Sequence, residues 1–439
     1  MKKITTIFCL LLITSITSCK KSNENTFSIT NPLDAYQIYV QNGGTLTYED
    51  WLIEVGYNSN DINNEQFDPP YEVFLATHPG YTGDEETWLN ENHEYINKTP
   101  TNTQIKNIIY VIGDGMGINS LRGGELYSNK HFSFTRWESY LCNTNSLNSL
   151  NKPEKTTDSA AGGTALATGT LTYNQYVGLD KDGNELKTVL DVAKEQGKRI
   201  GVVTTDKPYG ATPGAFSAHS ISRNNTEEIM KSQANSSNLD LLIGCYSGTY
   251  DTNKNDFINN GFTYSTNLDN NLLKNDRLFI NNKDMIPYEG DNSLLDSAKY
   301  AVDYLNNDNG FTLMIEQAHI DKNSHNNDFE MMAKCAVELS ATIDYLVDYF
   351  KDSDDTLILI TADHETGGLS VSKDQKLKNK YESDVSSFYY AYSTTGHTDT
   401  YVPLYMNKKV LNLSPLKENE PRLIKNTEIA KQLNNLLTK

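Results

Sequence analysis

Short runs of consecutive apolar residues recur along the chain after residue 105, each bounded by polar or turn-forming residues. A continuous apolar run of this kind is typical of a strand that is buried on both faces of a parallel sheet. The runs predict strands at residues 107–112, 200–203, 239–243, 311–315 and 356–360.

Segments with apolar residues at helical spacing separate these strands. In residues 186–197 the apolar positions lie three or four apart until Gly197, and residues 332–350 repeat the pattern over a longer stretch. The alternation predicts an α/β fold, a three-layer α/β/α sandwich with a largely parallel central sheet. We expect the Asn- and Tyr-rich segments 246–295 and 371–393 to be surface insertions.

The N-terminal residues have the pattern of an export signal. Lys2 and Lys3 precede the apolar run 7–13, which is too short to span a bilayer, and small residues then lead to Cys19. Residues 1–18 are therefore predicted to be a signal peptide. The small residues before Cys19 resemble a bacterial lipobox, which implies an exported protein held on a bacterial membrane only by a lipid anchor, periplasmic or at the cell surface. The alternative is simple secretion after cleavage near Ser18.

Two further segments precede the strand–helix pattern. Residues 19–34 are polar and are predicted to be a flexible tether. Residues 35–98 contain a short repeat with aromatic residues on both sides of a Gly turn, which predicts a small helical N-terminal module serving as a spacer or in assembly. We expect Trp51 and Trp88 in the core of that module.

Charge and cysteine content narrow the function classes. Lys and Arg number 38 against 57 Asp and Glu, a formal net charge of −19, so we expect no nucleic-acid-binding surface. Beyond Cys19 the cysteines are Cys142, Cys245 and Cys335, which have no zinc-motif spacing. Three thiols do not build a disulfide framework, and each is expected to be a small buried side chain.

Acidic residues and histidines follow three of the predicted strands. Because the carboxyl ends of parallel strands meet at one edge of a sheet, these side chains should gather there. Imidazole with carboxylate suits Zn²⁺, and an all-oxygen site suits Mg²⁺. The residues concerned are Asp114, Glu316, Asp321, His325, Asp363 and His364, with His397 in a loop that can close over the same edge.

Ser159 lies in the stretch 156–163, where an acid, a serine and small residues predict the start of a helix. A hydroxyl there faces unpaired N–H groups and the helix dipole, which favour negative charge. Two interpretations stay open at this point. The serine belongs to an ordinary N-cap, or it is a nucleophile whose product is an anion.

The motifs, in their order along the chain, resemble those of the alkaline phosphatase family. They are Gly113–Gly117, Asp158–Ala161, Ala211–Pro213, Glu316 with Ile320–Lys322 and His325, Thr361–His364 and Gly396–Thr398, covering residues 105 to about 406. The resemblance implies that residues 105–439 form the catalytic domain of a metal-dependent hydrolase. Such an enzyme releases inorganic phosphate from varied small-molecule phosphomonoesters.

The resemblance also implies a role for each matched residue. Ser159 would become phosphoserine, Arg223 would grip two phosphate oxygens, and two zinc ions and one magnesium ion would be bound. The implied ligands are Asp321, His325 and His397 for the first zinc, Asp114, Asp363 and His364 for the second, and Asp114, Thr212 and Glu316 for magnesium.

One position departs from the family. Gly210 stands where the family usually has Asp or His beside the magnesium site, and Lys322 resembles a phosphate-facing lysine that this Asp usually partners. Without that partner, we expect Lys322 to be freer to bind phosphate and the magnesium site to be looser. Whether Asp206 takes the place of the missing partner stays open from the sequence.

Two other functions stay open as alternatives. One is a phosphodiesterase or related hydrolase of the same superfamily, and the other is a non-catalytic metal-binding surface lipoprotein. The combination of Ser159, Thr212, Arg223 and Glu316 favours monoesters, and a structural metal site needs neither nucleophile nor phosphate clamp. A homodimer is common in the family, but nothing in these residues establishes one.

Overall fold

The computed structural model describes residues 104–151, 155–236, 238–272, 277–285, 292–417 and 420–438. The predicted signal peptide, tether and repeat module, residues 1–98, lie outside this part of the chain. Within it, no helix combines the length and apolar character that a membrane crossing requires.

Sixteen strands are assigned in the described residues, and eleven of them form one sheet in the order β15-β16-β2-β14-β8-β1-β7-β3-β4-β6-β5. Their bounds are β1 Asn107–Gly113, β2 Glu138–Asn143, β3 Arg199–Thr204, β4 Leu241–Cys245, β5 Thr263–Ser265, β6 Leu278–Asn282, β7 Phe311–Gln317, β8 Thr356–Thr361, β9 Glu365–Thr366, β10 Leu369–Ser372, β11 Asn379–Glu382, β12 Ser387–Tyr392, β13 His397–Thr398, β14 Val402–Met406, β15 Pro415–Lys417 and β16 Glu420–Lys425.

Eleven α-helices are assigned in the described residues, with the bounds α1 Ile118–Ser128, α2 Leu147–Asn151, α3 Ser159–Thr168, α4 Val189–Glu195, α5 Ala211–Ser217, α6 Thr226–Asn235, α7 Gly248–Asn259, α8 Ser293–Leu305, α9 His319–His325, α10 Phe329–Tyr349 and α11 Asn426–Leu437. Helices α1, α8 and α9 each contact α10, and helices α4, α5 and α11 each contact α3.

The five apolar runs form five neighbouring strands at the centre of the sheet, β8, β1, β7, β3 and β4, all parallel to one another. Every residue of β1, β7 and β8 is buried. Such strands have no face for solvent, because helices cover both sides of the sheet. The predicted α/β fold with a largely parallel central sheet is therefore confirmed.

The prediction of a surface insertion at residues 246–295 is wrong. Its strand β6 is buried throughout and pairs in parallel with β4 and β5, so this segment completes one side of the central sheet. Residues 371–393 contribute to a separate sheet of β10, β12 and β11. That small sheet packs its Phe388 and Tyr390 rings on Phe329 at centroid distances of 5.3 and 4.4 Å.

Strands β2, β14 and β16 were not predicted from the sequence. In β2 and β16, exposed residues interrupt the buried ones, so neither strand forms a continuous apolar run in the sequence. Strand β14 runs antiparallel to both β8 and β2 and thereby extends the parallel core. Cys142, Cys245 and Cys335 are buried free thiols, as expected.

Candidate active site

Strand β1 lies between β7 and β8, and its Ile112 is level with Glu316 on one side and Thr361 on the other. The residues that follow these positions therefore leave the sheet at one edge. Asp114 follows β1, α9 follows β7, and Asp363 follows β8. The sheet register thus places the predicted acidic residues and histidines together.

Asp321, His325 and His397 form one candidate metal-binding group, with one ligand atom from each within 4.8 Å of the others. Asp321 Oδ1 lies 3.3 Å from His325 Nε2 and 3.6 Å from His397 Nε2. Asp321 and His325 share one face of α9, because residues four apart in a helix point the same way. The helix therefore brings these two side chains together.

Asp114, Asp363 and His364 form a second group, in which all three side chains are buried. His364 Nε2 lies 3.2 Å from Asp363 Oδ2 and 3.6 Å from Asp114 Oδ1. The ring of His364 stacks on that of His397 with a centroid distance of 3.6 Å, so the two groups are immediate neighbours.

Contacts behind the imidazoles fix their orientation. His325 Nδ1 lies 2.5 Å from the carbonyl oxygen of Thr395, and His397 Nδ1 lies 2.7 Å from that of Thr157. A ring N–H that donates to a carbonyl leaves the opposite nitrogen as an acceptor, which is the form that binds metals. The two Nε2 atoms face each other at 3.1 Å, an arrangement suited to a shared cation.

Ser159 is the first residue of α3, and its Oγ lies 3.1 Å from His364 Nε2. Asp158 is the N-cap, with Oδ1 accepting a hydrogen bond from the backbone N–H of Ala161 at 3.0 Å. The cap interpretation of the sequence thus applies to Asp158. Ser159 points into the site, where the helix N-terminus favours negative charge.

Glu316 and Thr212 lie on the side of the second group that faces β3 and α5. Glu316 is buried and accepts a hydrogen bond from Thr204 Oγ1. Thr212 Oγ1 lies 3.4 Å from Asp114 Oδ2 as a long hydrogen bond. Hydroxyl and carboxylate oxygens therefore line this side of Asp114, and such an oxygen-only set suits Mg²⁺.

The negative charges of Asp114, Asp363 and Glu316 are not fully neutralised by the side chains around them. Burial, followed by the charges of Asp363, Asp321 and Glu316, raises the pKa of Asp114 well above its ordinary value. Burial and Asp321 raise the pKa of Asp363 to about 7, and burial and Asp206 raise that of Glu316 to about 8. Buried carboxylates held this way are stabilised by a bound cation.

Two further observations fit cations at this site. Asp114 Oδ1 and Asp363 Oδ2 are buried and make no hydrogen bond with the described residues. Burial, followed by the neighbouring His397, lowers the pKa of His364 well below its ordinary value, so its imidazole is neutral. A neutral imidazole beside unpaired carboxylate oxygens is a donor set for Zn²⁺.

Asp321 behaves differently from the other carboxylates. Burial opposes its charge, but the hydrogen bond with His325 and the nearby imidazoles hold the pKa of Asp321 well below its usual range. Thr366 Oγ1 donates to Asp321 Oδ1 at 2.5 Å and lies 3.3 Å from His364 Nδ1, which links the two groups. Sequence reasoning missed Thr366, since a threonine two residues after a histidine carries no specific signal.

Arg223 lies beside α3, with its Nη1 3.6 Å from Asp158 Oδ2. The Arg223 side chain is 32% exposed. The carboxylate of Asp158 therefore holds the Arg223 side chain beside the site, where it is accessible to a ligand. A planar guanidinium is suited to bind two oxygens of a phosphate.

The expectation that Lys322 is freer because position 210 holds no partner is wrong. Lys322 Nζ donates to Asp206 Oδ1, in a pair whose side chains are 30% and 24% exposed. A Cβ atom on Gly210 would lie 2.5 Å from Asp206 Oδ2. Asp206 thus occupies the space beside Gly210, and the sequence could not show that an acid four residues earlier folds back to this point.

Two candidate metal-binding groups beside a serine at a helix N-terminus, with an arginine nearby, are typical of metal-dependent hydrolases of phosphate esters. The family model described as "Alkaline phosphatase" matches residues 105–244 and 271–428. The chain belongs to the alkaline phosphatase family, and it is a phosphomonoesterase.

The individual proteins to which the chain is similar are also alkaline phosphatases. Alkaline phosphatase 4 of Bacillus subtilis (strain 168) is 31% identical over 355 residues, which are 75% of this chain and 74% of the relative. The alkaline phosphatase from the Antarctic bacterium TAB5 superposes with a TM-score of 0.66 at 25% identity, over 76% of this chain and 98% of that chain. A TAB5 mutant with Mg bound in the M3 site superposes with a TM-score of 0.65 at 25% identity, over 76% and 99%.

Proposed function

We propose that the chain hydrolyses phosphomonoesters through a phosphoserine at Ser159. The observation that carries the proposal is the position of Ser159 Oγ, 3.1 Å from His364 Nε2 at the junction of the two metal-binding groups and at the N-terminus of α3. A serine that served only as a cap would point its hydroxyl back to the helix backbone, and Asp158 already fills that role.

The donor set divides into three cation positions. Asp321, His325 and His397 suit one Zn²⁺, and Asp114, Asp363 and His364 suit a second. Asp114, Thr212 and Glu316 suit Mg²⁺, in keeping with the magnesium described for the M3 site of the TAB5 mutant. Bound cations would supply charge neutralisation for the transferring phosphoryl group and a lower pKa for the serine hydroxyl.

Arg223 and the N-terminus of α3 position the phosphoryl group and stabilise its negative charge. Arg223 binds two oxygens of the phosphoryl group, and the N–H groups at the start of α3 favour the anion that forms on Ser159. In the first step Ser159 loses its hydroxyl proton to solvent as the bond from Oγ to phosphorus forms, and the bond from phosphorus to the alcohol oxygen breaks, with that oxygen taking up a proton from solvent. Water then attacks the phosphoserine, inorganic phosphate leaves, and Ser159 regains its hydroxyl. Phosphoryl transfer needs mainly such positioning.

The test is phosphate release from a generic aryl phosphomonoester at alkaline pH. We expect Ser159→Ala and treatment with a chelator each to reduce the rate by at least about 10³-fold. Ser297→Ala is the matched control, because Ser297 Oγ is buried without a hydrogen-bond partner among the described residues. It should leave the rate unchanged. Full activity in Ser159→Ala would refute the assignment of the nucleophile.

A further inference from the structure

Gln175 has a backbone conformation that its side chain does not favour. Its φ is 78°, in the left-handed region, whereas the other positive-φ residues that are not glycine are asparagines at 129, 292 and 327 within the described chain. The backbone N–H of Tyr176 donates to the carbonyl oxygen of Tyr173 at 3.1 Å, which makes Gln175 the third residue of a tight turn. Glycine or asparagine is preferred at such a position, and a longer side chain there is strained.

The strained residue lies between the nucleophile helix and Arg223. Gln175 donates two hydrogen bonds to Asp158 Oδ2, from its backbone N–H at 2.9 Å and from Nε2 at 3.2 Å. The same carboxylate oxygen faces Arg223 Nη1 at 3.6 Å. Three donors therefore converge on Asp158 Oδ2, while Asp158 Oδ1 caps α3 directly above Ser159.

Gln175 also holds the segment that carries Arg223. Its carbonyl oxygen accepts a hydrogen bond from the Arg223 N–H at 2.8 Å, and its Oε1 accepts one from Asn224 Nδ2 at 3.3 Å. The carboxamide thus spans from Asp158 to Asn224, and only a side chain of this length with both donor and acceptor makes both contacts. A glycine would satisfy the backbone of the turn and make neither side-chain contact.

We propose that Gln175 is a positioning residue, whose carboxamide fixes the Arg223 guanidinium relative to Ser159 for phosphate binding. The proposal rests on the proposed function, since it assigns the phosphate-binding role to Arg223. Strain of this kind persists where surrounding contacts over-determine it, and here those contacts join Asp158 to the segment that carries Arg223.

The test measures inhibition of the metal-loaded enzyme by inorganic phosphate, together with thermal unfolding. Gln175→Gly keeps the turn and removes the carboxamide. We expect the inhibition constant for phosphate to rise about three- to tenfold, the loss of a hydrogen bond to a charged group, with the melting temperature unchanged or higher. A merely structural residue would lower the melting temperature instead. Asn129→Gly is the matched control, an exposed left-handed residue at the end of α1, and should change neither quantity.

A double-mutant cycle with Arg223→Ala identifies the route of the effect. If Gln175 acts through Arg223, Gln175→Gly should have no further effect on phosphate inhibition in the Arg223→Ala background.

Gln175→Glu, which keeps the length but places a carboxylate against Asp158, should weaken phosphate binding at least as much as the glycine variant. An inhibition constant within about twofold of wild type in Gln175→Gly, or the same rise without Arg223, overturns the inference. A wild-type protein without phosphatase activity would instead refute the proposed function, and the inference with it.

Discussion

The carboxylate of Asp206 holds Lys322 in place beside a glycine. Burial opposes the charge of Asp206, but the ammonium of Lys322 and its hydrogen bond outweigh burial and lower the pKa of Asp206. The backbone N–H of Asp206 also donates to Thr204 Oγ1 at 2.8 Å, and Thr204 donates to Glu316. Gly210 is therefore one member of a packed set that ends at a proposed magnesium ligand.

Gly210→Asp should not tighten magnesium binding, because a Cβ atom there meets Asp206 Oδ2 at 2.5 Å. We expect Gly210→Ala and Gly210→Asp to displace Asp206 from Lys322 and to reduce the free energy of unfolding by about 1–3 kcal/mol. Gly248→Ala is the control, since its nearest atom would be 3.9 Å away. Denaturant unfolding and magnesium titration of the three variants measure both effects. Tighter magnesium binding in Gly210→Asp would contradict this expectation, because it would show that a second carboxylate is accommodated beside Asp206.

Among the elements, helix α3 approaches the end of β8 unusually closely. A Cβ atom on Gly162 would lie 2.8 Å from the carbonyl oxygen of Asp363 and 3.0 Å from its Cβ atom. Alanine usually stabilises a helix interior relative to glycine by about 1 kcal/mol. The glycine thus permits the contact that places Ser159 against the second metal-binding group.

Gly162→Ala should lower activity despite its better helix propensity. The added methyl group forces α3 away from Asp363, so Ser159 Oγ moves relative to His364, and a displacement of about 1 Å can reduce the rate about 10²-fold. Gly163→Ala, on the same helix, meets Ala215 Cβ at 3.2 Å and should have a milder effect. Turnover of an aryl phosphate by the two variants provides the comparison. Equal activity of Gly162→Ala and wild type would show that this contact does not position the serine.

On the scale of the whole molecule, the chain is strongly acidic, and several of its acidic side chains are buried in the candidate site. The net charge is −19, and the carboxylates of Asp114, Asp363 and Glu316 have raised pKa values. A carboxyl with a folded pKa above its unfolded pKa contributes stability at low pH that is lost as the pH rises through the folded pKa. The metal-free protein should therefore be destabilised at neutral and alkaline pH.

Thermal unfolding across pH tests this directly. The pKa of Asp363 is raised from 3.8 to about 7 and that of Glu316 from 4.5 to about 8. We expect the melting temperature of the chelated protein to fall as the pH rises from about 4.5 to about 8 and to level off above that, and the zinc- and magnesium-loaded protein to show a smaller fall or none. A chelated protein that gains stability over this range would contradict the description of the site.

The sequence was sufficient to predict the centre of the fold and the gathering of the candidate metal ligands at one edge of the sheet. Strands such as β7, buried on both faces, leave a continuous apolar run, and ligands after their carboxyl ends must meet at one edge. Contacts between residues that are far apart in the sequence leave no such local signal. Asp206 reaches Lys322 over 116 positions, and Gln175 meets Asp158 only because of a turn with positive φ. Strand β6 was missed because it lies within a stretch dominated by polar residues.

The central claim is that Ser159 becomes covalently phosphorylated. The metal-loaded enzyme would be incubated with an aryl phosphomonoester, quenched in acid, digested and analysed by mass spectrometry. We predict one phosphoryl group on the peptide that contains Ser159, its absence in Ser159→Ala, and its persistence in Ser297→Ala. Rapid substrate turnover without any phosphorylated Ser159 peptide, or phosphorylation at another residue, would contradict the account.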